Sequence, residues 1–161
     1  MYHPVTQQIV QFIREANCWY QTFEHQPVRT SEEAAAVRKG FTLAQGAKAL
    51  IVRIKRSQQD KEFVMLVVPG DKKFDKVKVQ QVLDTKDIRF ATTEEVSEIT
   101  NGIEPGGVPP WGNLFNLRVI VDQGVFEHDT LIFNAGDQRF SVAMKSTDYR
   151  RLVKPQVGFI C

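Results

Sequence analysis

The chain predicts a single α+β domain, and three observations carry that reading. Its 161 residues suit one domain with a substantial core. Capped, helix-periodic segments concentrate early, while short apolar, β-branched runs recur and gather late. No repeat, linker or low-complexity segment interrupts that order.

The elements follow from local patterns. Residues 4–17 place Val5, Ile9, Phe12 and Ile13 on one helical face, with Pro4 at a first helical position. Trp19 to Phe23 reads as a short strand. Thr30-Ser31-Glu32-Glu33 has the capping-box spacing, Ala34 to Val37 continues the helix, and Gly40 stops it. Residues 49–54 and 62–68 read as adjacent core strands around a turn at Ser57 to Asp60. Val79, Val82 and Leu83 give the second half of 72–83 a helical inward face. Ile88 to Phe90 is a short strand. Thr92 and Glu95 box the next helix, which Asn101-Gly102 ends. A Gly/Pro loop at 103–116 precedes strands at 117–121, 130–134 and 139–144. Asn134 to Gln138 is expected to turn between the last two. Ser146-Thr147-Asp148 caps a short helix to Leu152, and Val157 to Ile160 closes the chain as a strand.

Composition narrows the function. Hydrophobic residues at 42% and charged residues at 25% are ordinary for a globular protein. No window reaches the ~18 uncharged apolar residues of a membrane helix. Met1-Tyr2-His3-Pro4 has neither the basic start nor the apolar run of a signal peptide, so a cytoplasmic location is expected. Cys18 and Cys161 lack metal spacing and are expected as free thiols. A net charge of +2 makes the molecule no general nucleic-acid binder. Lys72, Lys73, Lys76 and Lys78 nevertheless crowd one stretch, either as a solvated face or as a contact for a phosphate backbone.

Two segments suggest chemistry. Gly46-Ala47-Lys48-Ala49-Leu50 sets one ammonium at the mouth of an apolar run. Gly106-Gly107-Val108-Pro109-Pro110-Trp111-Gly112 is a stiff loop in which glycine permits close approach and proline fixes φ. Rigid N–H groups facing a cation suit a phosphate or a developing oxyanion. No serine sits in a nucleophile elbow, no Ser-His-Asp set is evident, and no His/Cys/Asp/Glu cluster suggests a metal. His3 and His128 have no partners in motif spacing and read as surface residues.

Four segments in this order resemble the YbaK/ProX family of aminoacyl-tRNA deacylases, which includes free-standing editing proteins and the editing domain inserted in bacterial prolyl-tRNA synthetases. They are Phe23 to Val28 with Thr30-Ser31, Gly46-Ala47-Lys48, the GxxxP loop from Gly106 to Pro110, and Phe133 to Gly136 with Phe140-Ser141-Val142. The resemblance covers nearly the whole chain and implies one editing domain over residues 1–161. It implies a mixed, mostly antiparallel, barrel-like sheet core flanked by helices. It also implies a trans-acting hydrolase that cleaves the ester of mischarged tRNA, because apolar pockets discriminate by only ~1–3 kcal/mol per methylene. The expected partners are the tRNA 3′ acceptor end and a synthetase that lends tRNA affinity. No cofactor, metal or membrane is expected.

The resemblance also distributes roles. Lys48 would hold a phosphate or ribose oxygen. Gly106, Gly107, Val108 and Pro110 form the catalytic loop, whose N–H groups would stabilise the oxyanion while Val108 walls the pocket. Asn134, Gly136 and Ser141 match the pocket-lining turn, with Asn134 expected on the substrate's α-amino group. Phe23, Thr30 and Ala49 would line the opposite wall, although Phe23 and Ala49 read equally well as core. His25 is a general base or, more in keeping with its context, a structural histidine bonding backbone near Thr30. Asp122 either orients Lys48 or faces solvent. With no evident base, attack by water would be assisted by the substrate's own ribose hydroxyl. Alanine is the first expected substrate residue and serine or threonine the second, with cysteine also open, on a proline or related tRNA. From a different class, the scaffold would be a non-catalytic module for tRNA ends or nucleotides.

Overall fold

The computed structural model describes residues 1–161 as an α+β fold with two sheets. In chain order the helices are α1 (Pro4–Glu15), α2 (Ser31–Val37), α3 (Lys76–Leu83), α4 (Thr93–Thr100) and α5 (Ser146–Val153). The strands are β1 (Tyr20–Glu24), β2 (Ala47–Lys55), β3 (Lys61–Pro69), β4 (Asp87–Phe90), β5 (Arg118–Asp122), β6 (Thr130–Asp137), β7 (Phe140–Lys145) and β8 (Gln156–Gly158).

Strands order as β4-β2-β3-β5-β8 in the larger sheet and β1-β7-β6 in the smaller. Four of the pairings are antiparallel; β3–β5 and β5–β8 are parallel. The sheets do not close into the barrel-like core expected, because each keeps its own edges and only a single bridge, Gly46 to Ile132, joins them.

Burial on both faces explains why β2, β3 and β5 are so apolar. Ile51, Met65, Val67, Val119 and Val121 face the smaller sheet, meeting Leu131, Phe133, Val142 and Met144. Their strand neighbours Val52, Ile54, Val64, Leu66, Val68 and Ile120 point to the other side, under Val79 and Leu83 of α3. The period of two thus feeds two cores from one sheet. Helix α1 seals the larger core with Val5, Ile9 and Ile13.

The caps follow local chemistry, with three departures. Thr92 and Glu95 form the full reciprocal box on α4. At α2, Thr30 accepts from the Glu33 amide, but the Glu33 carboxylate turns to the Arg29 amide instead. His3, expected as a plain surface residue, caps α1: Nδ1 accepts from the Val5 amide and Nε2 lies 3.0 Å from the Asn101 carbonyl. Helix α5 has no side-chain cap.

The expected turn at Asn134 to Gln138 is mostly strand. β6 runs on to Asp137 through a bulge between Asn134 and Asp137, and the reversal tightens to Gln138-Arg139. Gly136 makes the bulge possible at φ +99°, tucked against Val5 and Thr6 of α1.

Candidate active site

A cavity of about 270 Å³ opens where α2, the start of β2, the Gly/Pro loop and β6 converge. Six expected residues line it: Thr30, Lys48, Ala49, Gly106, Val108 and Asn134. Arg38, Gly46 and Leu43 line it as well.

Lys48 is half-buried on β2, and its Nζ donates to the Lys72 carbonyl at 3.1 Å. That contact ties the cavity's lysine to the basic stretch whose Lys72, Lys73, Lys76 and Lys78 side chains are exposed. Asp122 does not orient Lys48. It is 5% exposed and accepts from three backbone amides, those of Gly124, Ile160 and Cys161, so it clasps the end of β5 to the C-terminal segment. Burial is the first cause that pushes the adjoining Cys161 thiol up to about 11, with Asp122 adding to it.

The Gly/Pro loop is stiff for reasons beyond its prolines. Pro105–Gly107 is a 3₁₀ turn in which the Gly107 amide donates to the Glu104 carbonyl at 2.8 Å. The Val108 amide makes only a long 3.4 Å bond to Pro105. Pro110 is buried away from the cavity, its carbonyl accepting from the Tyr149 hydroxyl. Tyr149 is wholly buried, and desolvation pushes its phenol well above the ordinary range. Pro110 is thus the loop's anchor. Gly107 also sits outside the cavity, packed on the Asp137 backbone. Val108, 5% exposed, supplies a wall.

The residue that sequence reasoning missed is Arg38, at the C-cap of α2 and 6% exposed. Its Nε donates to Ser141 Oγ at 3.0 Å and its Nη2 to Asn134 Oδ1 at 2.9 Å. Ser141 and Asn134 are cross-strand neighbours on β7 and β6, 3.1 Å apart through Oγ and Oδ1. Asn134 Nδ2 then donates to the Gly106 carbonyl at 2.8 Å. The relay fixes the loop's entry and uses both ends of the Asn134 amide, so Asn134 is a scaffold for the loop rather than a free acceptor for an ammonium. No carboxylate pairs with Arg38, and burial alone lowers its guanidinium to about 10, still charged at neutral pH. Nothing in the local sequence separates Arg38 from its neighbour Lys39.

His25 extends the relay from outside the cavity. Nδ1 faces the Gln26 carbonyl at 2.8 Å and Nε2 faces Ser141 Oγ at 2.8 Å. Backbone bonding near Thr30 was expected of it; the bond to Ser141 was not. Phe23 packs edge-on against Phe41 at 5.7 Å instead of lining the cavity, and Gly136 faces α1. No group of three His, Cys, Asp or Glu side chains is placed to hold a metal, and no helix is long and apolar enough to cross a membrane.

Comparison with known proteins agrees with this geometry. The profile of the aminoacyl-tRNA editing domain matches residues 25–152. The chain is 28% identical over 152 residues to the multifunctional Ser/Thr-tRNA deacylase ProXp-y of Escherichia coli K12, covering 94% of this chain and 89% of that protein. It is 36% identical over 102 residues to a proline–tRNA ligase of Bacillus licheniformis, of which it spans only 17%. Among solved structures, a candidate trans-editing enzyme for prolyl tRNA synthetase superposes with a TM-score of 0.80 at 22% identity, over 99% of this chain and 98% of that one. The chain belongs to the aminoacyl-tRNA editing domain family, and so to a class of aminoacyl-tRNA hydrolases.

Proposed function

We propose that this protein is a trans-acting deacylase that hydrolyses the ester joining serine or threonine to the 3′ end of a mischarged tRNA. One observation carries the reading. A single cavity gathers Lys48, Gly106, Val108 and Asn134, and no histidine, cysteine or carboxylate lines it to activate the hydroxyls of Thr30, Ser31 or Thr42 or to hold a metal. Such a site positions a substrate and stabilises charge; it does not form a covalent intermediate. The hydroxyl amino acids are favoured over alanine by the likeness to ProXp-y, named for Ser/Thr-tRNA.

In this mechanism Lys48 holds a phosphate or ribose oxygen at the cavity mouth, as a flexible point charge can. The exposed lysines beside it meet the tRNA backbone. Water adds to the ester carbonyl as it passes a proton to the neighbouring ribose hydroxyl, which hands its own proton on toward the departing 3′ oxygen. The Val108 amide, only loosely held within the protein, is free to turn to the resulting oxyanion. Collapse expels the ribose 3′ oxygen, which regains the proton, and releases free amino acid and intact tRNA. A synthetase that delivers the mischarged tRNA is the partner this small module would need.

Incubation with a panel of seryl-, threonyl-, alanyl- and cysteinyl-tRNAs tests the proposal. Seryl- and threonyl-tRNA should be hydrolysed fastest. Binding of tRNA without hydrolysis of any member would favour the non-catalytic alternative.

A further inference from the structure

Arg38 is an unusual group to bury. A guanidinium carries five N–H donors and no acceptor, and removing it from water is costly unless it is paired. Here it is 6% exposed, with no carboxylate partner. Nε and one Nη2 proton are taken by Ser141 and Asn134, which fixes the plane of the group. Nη1 makes no hydrogen bond within the protein, yet Arg38 lines the cavity, and Nη1 lies close enough to the Gly46 backbone that a methyl there would sit 3.7 Å from it. The open edge is therefore directed at whatever fills the cavity.

Depth decides which part of a substrate reaches it. Lys48 is half-buried at the mouth, beside the exposed basic stretch. Gly106 and Val108 line one wall, and Arg38, 6% exposed, is the most buried of the charged residues that line the cavity. An aminoacyl ester entering past Lys48 places its carbonyl by the loop and its side chain toward Arg38. A fixed cation there repels the α-ammonium and rewards an oxygen at the end of a short side chain.

We propose that Arg38 Nη1 is the specificity-determining donor of this site, hydrogen-bonding the side-chain hydroxyl of a seryl or threonyl substrate. The inference rests on the deacylase reading above. Alanine offers no acceptor and leaves the cavity-facing Nη1 donor without a substrate partner, which is how a polar pocket disfavours an isostere lacking the group. The side-on fork of the guanidinium, through Nε and Nη2, is already spent on Ser141 and Asn134, which leaves the Nη1 edge for the substrate.

The test compares kcat/KM on seryl-, alanyl- and aspartyl-tRNA for the wild-type protein and Arg38→Met. Both seryl and alanyl turnover should fall, because the relay to Gly106 is cut. The seryl-to-alanyl ratio should fall further, by roughly 10- to 100-fold, the usual value of a hydrogen bond from a charged donor. Equal losses on the two would reduce Arg38 to a positioning residue and overturn the proposal, as would wild-type preference for aspartyl-tRNA. A second measurement needs neither turnover nor a folded variant. Non-hydrolysable seryl and alanyl 3′-amide analogues of adenosine are titrated into wild-type protein while the Arg38 side-chain nitrogens are followed by NMR. The Nη1 signal should move with the seryl analogue only; identical responses would overturn the assignment. If wild-type protein hydrolyses no member of the panel, the deacylase reading fails on its own, and the titration still decides Arg38.

Discussion

Lys48 and Val108 contribute to the site in different ways, and their variants should differ accordingly. Lys48 gives up only one bond, to the Lys72 carbonyl, when truncated. Lys48→Ala should lower kcat/KM at least tenfold while Tm moves by no more than about 2 °C, as for a surface change; steady-state kinetics beside a thermal melt checks both. Val108 is buried against the cavity. Val108→Ala should cost about 2 kcal/mol of stability and raise relative turnover of larger aminoacyl groups across a substrate panel. Gly106→Ala is milder than its sequence suggests. Its new Cβ would meet Gln138 Nε2 at 2.7 Å, the far end of a side chain that can swing away. The fold should survive it, so any kinetic loss in that variant reports directly on loop backbone and its approach to substrate.

Among the elements, the β6 bulge and the α4 cap are the most exacting. Gly136 combines φ +99° with a Cβ position 2.6 Å from Val5 Cγ1. Gly136→Ala should therefore lose about 2–4 kcal/mol, read as a large Tm drop, and by shifting β6 should loosen Asn134 as well. At α4, Glu95 is held down to about 2, first by Arg89 and then by the Thr92 amide. A lowered folded pKa stabilises above the unfolded value of ~4.3 and is lost as pH falls through the folded one. Glu95→Gln should thus lower Tm at pH 7 and cease to matter near pH 2; melts across that range test the sign. The capping box was legible in Thr92 and Glu95 because it is a local spacing rule. The bulge was not, because it depends on α1 packing from elsewhere in the chain.

Across the whole molecule, charge is placed more tellingly than its total of +2 indicates. The Lys48–Lys72 contact joins the cavity's lysine to the start of the exposed basic stretch, which supports the phosphate-contact reading of that stretch. Affinity for tRNA should fall steeply with salt, and Lys73→Glu or Lys76→Glu should raise KM while leaving kcat nearly unchanged; a filter-binding series in salt measures it.

Element order, the apolar strands and the Thr30 and Thr92 caps could be read from the sequence, because hydrophobic period and capping chemistry act over a few residues. Lys48 and the Gly/Pro loop stood out by their composition, and the fold brings Lys48, Gly106 and Val108 to one cavity. Tertiary structure alone decided that two open sheets replace a closed barrel, since strand partners lie far apart in sequence. It also decided that Asp122 clasps the C-terminal segment and that Pro110 anchors the loop. Arg38 illustrates the division most clearly. Beside Lys39 it is one more basic residue after a helix; only the pairing of β6 with β7 sets Asn134 and Ser141 side by side to receive it. A charge acquires its meaning from what surrounds it, and burial is a property of the folded chain rather than of any local stretch of sequence.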